Sequence, residues 1–134
     1  MKNYTKLLLS GFAIWLAISS CAKNQAPPRI ISPRTIKYIL HTEKDFTDDS
    51  DSISFSIFIR TRTKTLFDST LVRMELKDIP DSTQPITFEK KVPGDDGSDL
   101  AVGFHYTIDQ VGTSSFIDSV KAGDSLKIVN FSFK

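Results

Sequence analysis

Cysteine is almost missing from this chain: Cys21 is the only one in 134 residues. One thiol cannot build an intrachain disulfide framework or a Cys-based zinc site. Histidine is limited to His41 and His105, tryptophan to Trp15, and the first acid along the chain is Glu43. No phosphate-cradling glycine loop, dinucleotide signature or Gly-x-Ser-x-Gly elbow occurs, and no internal repeat is visible. With 17 basic and 16 acidic residues the formal charge is +1, which gives no polycationic surface for nucleic acid. Long apolar runs are lacking too. The apolar stretch Leu7 to Ile18 covers only 12 residues, roughly 18 Å of helix against a hydrocarbon core of about 30 Å, too short for a permanent span.

What is present begins with that short stretch. Lys2 and Lys6 precede it, and small residues Ser19 and Ser20 follow, the three parts of a secretory signal over residues 1–20. The sequence Ile18-Ser19-Ser20-Cys21 resembles the lipobox of bacterial lipoproteins, in which an aliphatic residue and two small ones precede a cysteine. A thiolate is the nucleophile suited to taking up a diacylglyceryl group, and small side chains fit the peptidase that cuts before it. The resemblance implies that Cys21 is the lipidation site and the first residue of the mature chain. One fatty chain holds only marginally, whereas two or three anchor stably. By resemblance to lipoprotein sorting in enteric bacteria, Ala22 in place of an aspartate after the cysteine favours the outer membrane over inner-membrane retention. Lys23 is followed by Asn24, Gln25 and Ala26 instead of acids, so the periplasmic and surface-facing sides both stay open. The plainer alternatives are an ordinary cleaved signal peptide and a core cysteine.

Residues 21–33 are polar and proline-bearing, with Ala26-Pro27-Pro28 and Ser32-Pro33, and read as a semi-extended lipidated tether. From residue 34 to 134 the pattern has period two. Ile36, Tyr38 and Leu40 alternate with Lys37, Ile39 and His41; Ile53, Phe55, Ile57 and Ile59 with Ser54, Ser56, Phe58 and Arg60; Val72, Met74 and Leu76 with Arg73, Glu75 and Lys77; Ile86 and Phe88 continue the pattern; and Val102, Phe104, Tyr106 and Ile108 share one face opposite Gly103, His105 and Thr107. Phe116 to Val120 and Leu126 to Phe133 complete about seven strands, separated by Gly, Pro and Asp turns. The expected fold is all-β: a single antiparallel β-sandwich, immunoglobulin-like or C2-like, over residues 34–134. In the last strand the apolar parity switches between Ile128 and Val129, which predicts a bulge or a change of packing partner.

Three features carry chemistry. Asp45, Asp48, Asp49 and Asp51 form one carboxylate cluster and Asp95, Asp96 and Asp99 a second. Loops of hard oxygen ligands at one end of a sandwich hold calcium in C2-like modules, provided that both loops share that end. Asp-rich turns that cap their own backbone are the alternative. Arg60, Arg62 and Lys64 continue the outward parity of Ser54 and Ser56 and predict a cationic ridge, either a grip on anionic envelope sugars or edge-strand gatekeepers. Gly123-Asp124-Ser125-Leu126 spells the GDSL hydrolase motif, but only nine residues follow Ser125 and none is histidine; a turn feeding the last strand accounts for it.

The strings Lys44-Asp45-Phe46-Thr47-Asp48-Asp49-Ser50-Asp51, Leu76-Lys77-Asp78-Ile79-Pro80-Asp81 and Val120-Lys121-Ala122-Gly123-Asp124 are similar to those of small, uncharacterised outer-membrane lipoproteins of the Bacteroidota. The resemblance covers residues 34–134 and implies location and fold class, with no activity to transfer. The expectation is a lipid-anchored envelope module that binds or scaffolds a protein or glycan partner, with no catalytic residues and no cofactor besides calcium at the Asp loops. A calcium-stabilised adhesive or surface-assembly module and an envelope enzyme of unknown type are the other classes.

Overall fold

A computed structural model describes residues 32–94 and 98–134. Cys21, the signal segment, most of the tether, Asp95 and Asp96 lie outside the described residues. Among the described residues seven strands follow one another: β1 (Arg34–Thr42), β2 (Ser52–Arg60), β3 (Thr65–Glu75), β4 (Ile86–Val92), β5 (Leu100–Ile108), β6 (Gly112–Val120) and β7 (Leu126–Phe133), with a 3-10 turn over Leu76–Asp78. They form a three-stranded sheet, β4-β1-β7, and a four-stranded sheet, β3-β2-β5-β6. The protein is thus an all-β sandwich, as the alternation implies. In letters the sheets hold D-A-G and C-B-E-F, a different division from the ABED and CFG of an immunoglobulin constant-type domain. The neighbouring ladders are antiparallel except β1 with β7, which run parallel. Successive strands reverse direction, so two odd-numbered strands paired together must point the same way.

The core is the inward parity of both sheets. Ile36, Tyr38 and Leu40 from β1 meet Ile53, Phe55, Ile57 and Ile59 from β2 and Val102 and Phe104 from β5, all at most 1% exposed. Tyr38 stands edge-on to Phe104 at 5.4 Å, and Phe131 of β7 stacks on Phe116 of β6 at 4.9 Å. Aromatic pairs at such spacings add about 0.5–1.5 kcal/mol beyond the area they bury. The open flanks are closed differently. On one, Lys90 of β4 lies 4.3 Å over the ring of Phe67 of β3, and Phe67 stacks on Phe88. On the other, Lys127 of β7 reaches Asp118 of β6 at 2.7 Å. Burial pushes the Asp118 carboxyl up, but the Lys127 hydrogen bond, the Ser119 N–H and the Lys127 charge together hold it below its ordinary value of 3.8.

The last strand departs from its sequence reading. Its register with β1 is continuous from Thr35 against Leu126 to Thr42 against Phe133, with no bulge. Lys127, Val129, Phe131 and Phe133 share the parity of inward Ile36, Tyr38 and Leu40, while Leu126 and Ile128 face out, 58% and 51% exposed. Both parities of β7 contain apolar residues, so alternation alone does not choose between them. The parallel ladder with β1 does, because a one-residue slip would expose Val129 and Phe133.

Reversal of direction at every strand also fixes two poles. Arg34, Arg60, Val92, Val120 and Leu126 lie at the pole where the chain enters from Pro33; Thr42, Ser52, Glu75, Ile86 and Ile108 lie at the other.

Candidate functional site

On the outer face of β3-β2-β5-β6, alternation along β2 turns Ser52, Ser54, Ser56, Phe58 and Arg60 outward. A phenylalanine on an outer face would ordinarily be wet, yet Phe58 is only 2% exposed. The His105 ring of β5 stacks on it at 4.4 Å and 23°, and the Arg60 guanidinium lies 4.6 Å over it. Arg60 Nη2 is 2.9 Å from His105 Nε2 and 3.5 Å from the Asp68 carboxylate. His105 Nδ1 is 2.7 Å from Ser115 Oγ on β6.

Hydrogen-bond polarity decides what this cluster can do. A guanidinium only donates, so Nε2 accepts and the imidazole proton sits on Nδ1, where it donates to Ser115. A serine nucleophile needs the reverse, a ring nitrogen that accepts the hydroxyl proton. His105 is therefore held as cover for Phe58, with Ser115 bonded to its ring, and the cluster presents a polar surface. Thr107 and Thr113 extend it with a hydroxyl pair at 2.9 Å. His41 takes the outward parity of the other sheet, beside Ser132 in the β1–β7 register, and is itself buried, 6% exposed. The two histidines lie on opposite outer faces and cannot act together.

The expected ridge is divided by a turn. Strand β2 ends at Arg60, and Thr61 closes the reversal: its hydroxyl accepts from Lys64 N at 2.9 Å, and Thr61 N donates to Lys64 O at 2.8 Å. Arg60 folds onto Phe58, whereas Arg62 and Lys64 stand exposed in the turn. The outward parity predicted for them needs a strand that the chain has already left.

The described aspartates of the two expected clusters lie at opposite poles. Asp45, Asp48, Asp49 and Asp51 follow Thr42, whereas Asp99 precedes Leu100 at the other end, where Val92 pairs with Arg34; Asp95 and Asp96 lie outside the described residues. One cation cannot draw on the first cluster and on Asp99 together, so the described residues do not meet the condition on which the calcium expectation rested. Local bonding accounts for several of the carboxylates. Asp45 accepts both the N–H and the hydroxyl of Thr47, and Asp49 accepts from Asp51 N at 3.0 Å. Asp99 accepts from Ala122 N at 2.9 Å and Lys121 Nζ at 3.1 Å. Among the described residues no three His, Cys, Asp or Glu side chains gather at metal-binding distance. Asp124 accepts from Lys121 N at 3.0 Å and Ser125 O from Thr35 N at 2.8 Å, so the Gly-Asp-Ser segment is the turn into β7.

The structure adds a cleft that sequence reading missed. About 500 Å³ opens between residues 42–47 and 76–83, with Phe46, Leu76 and Ile79 beneath and Glu43, Asp45 and Asp81 at the rim. Asp81 repeats the Asp45 arrangement, accepting from both the N–H and the hydroxyl of Thr83. The hydroxyl bonds of Thr47 and Thr83, followed by the N–H bonds of the same residues, hold both carboxyls below 3.8. The signal in the sequence was the repeated Asp-x-Thr triplet. Thr42 N donates to Pro80 O at 2.9 Å, joining the two walls. Comparison of the chain with protein-family models, curated proteins and solved structures finds no match.

Proposed function

We propose that this chain is a lipid-anchored module of the bacterial outer membrane that binds or scaffolds a protein or glycan partner through the surface of its sandwich. The observation that carries the reading is Ile18-Ser19-Ser20-Cys21, placed directly after a cationic start and a 12-residue apolar stretch. Strand β1 starts 13 residues beyond Cys21, with Pro27, Pro28 and Pro33 between. The outer face of β3-β2-β5-β6, stiffened by the Phe58, His105 and Arg60 stack and lined with Ser and Thr hydroxyls, suits a partner rich in hydrogen-bonding groups. The polarity of the His105–Ser115 bond favours binding over acyl transfer at that pair. Growth of expressing cells with an alkyne-bearing fatty acid tests the anchor. Wild-type chain should take up the label and Cys21→Ala should not; equal labelling of the two, or no labelling of either, would refute it.

A further inference from the structure

The outward surface of β4-β1-β7 changes character towards the pole where the chain enters. Leu126 and Ile128 are two of the four large apolar side chains that stand most exposed among the described residues. In the register they sit beside Thr35 and Lys37 of β1, and those two sit beside Lys91 and Glu89 of β4. An apolar pair flanked by Lys37 and Lys91 therefore lies a few residues from Pro33, with Glu89 the one acid at an outward strand position of this sheet among the described residues.

The opposite pole is the more acidic one, since the entry-pole acids Asp99 and Asp124 are bonded to Lys121. Residues 43–51 and 75–81 hold eight acids against Lys44 and Lys77, a formal charge of −6. From Cys21 to Arg34 the connector can reach roughly 40 Å when extended, so it does not by itself set how the domain sits. Charge and apolar exposure do.

We infer that the corner formed by Leu126, Ile128, Lys37 and Lys91 docks on an anionic phospholipid surface, the leaflet that holds the anchor, and that the acidic pole points away from it. This rests on the lipid anchor proposed above and deepens it. Exposed aliphatic side chains enter the head-group boundary while neighbouring lysines meet lipid phosphates. The same phosphates repel the acidic pole, so attraction and repulsion favour one orientation. The contact is weak alone and is populated because the anchor keeps the domain at high local concentration.

Tryptophan reporters in the acylated full-length chain provide the test, with the parent chain as blank. Leu126→Trp, Ile128→Trp and, at the far pole, Val111→Trp are each reconstituted into vesicles of phosphatidylethanolamine and phosphatidylglycerol carrying brominated acyl chains. Positions 126 and 128 should be quenched by roughly twofold or more and position 111 hardly at all. Replacing phosphatidylglycerol by phosphatidylcholine should relieve that quenching. Protein that floats with the vesicles but shows equal quenching at all three positions, or the same pattern on both lipids, overturns the docked corner and leaves the anchor standing. Protein that does not float overturns the anchor and this inference with it.

Discussion

Tyr38 ties the two sheets together: its hydroxyl donates to the Phe58 carbonyl of the opposite sheet at 2.7 Å, with the side chain 1% exposed. Burial pushes the phenol far above its ordinary value of 10, only partly countered by the Gly103 N–H. A group with a raised folded-state pKa contributes stability that is complete below its unfolded value and is lost as pH rises beyond it. Urea midpoints for the wild type should therefore fall above pH 10 more steeply than those for Tyr38→Phe. Parallel profiles would mean that the phenol is not buried. Gly103 is constrained by close approach, since a Cβ there would lie 1.9 Å from the Phe116 carbonyl oxygen on β6. Backbone cannot swing aside as a side chain can, so Gly103→Ala should cost at least about 3 kcal/mol in chemical denaturation.

At the scale of elements, β7 separates sequence from structure most sharply. Ile128→Lys should change stability by less than about 0.5 kcal/mol because the side chain faces out. Its neighbour Val129, fully buried, should cost roughly 2 kcal/mol on truncation to Ala. The reverse ranking in thermal melts would mean that the strand is turned over. Strands β1, β2 and β5 were legible because one parity is apolar between the strand ends and the other is mostly polar, broken by Ile39, Phe58 and Ala101, so Ile36, Phe55 and Val102 point inward. In β7 both parities are apolar, and its parallel pairing with a strand about 90 residues away leaves no trace in local pattern. The cationic ridge misled for a related reason: parity holds only while the strand lasts, and the Thr61 hydroxyl bond to Lys64 ends it. The Asp45 and Asp81 cleft depends on a long-range bridge between Thr42 and Asp81, which turn chemistry cannot supply.

At the scale of the whole molecule, the charge that is nearly neutral in sum is strongly sorted in space. The chain enters at one pole, where exposed Leu126 and Ile128 lie next to Lys37 and Lys91 and where Asp99 and Asp124 are bonded to Lys121, and the eight acids of residues 43–51 and 75–81 gather at the other. Composition shows none of this sorting, because the poles alternate along the sequence each time a strand reverses. The resemblance to a lipobox rests on four adjacent residues, Ile18 to Cys21, whereas every surface of the sandwich is assembled from distant residues. The account depends above all on what happens at Cys21. The intact mass of the native protein, released from membranes in detergent, tests it directly. The proposed anchor predicts a chain that begins at Cys21 and carries the added mass of a diacylglyceryl group on that residue. A chain that begins elsewhere, or one with a free Cys21 thiol, would contradict it.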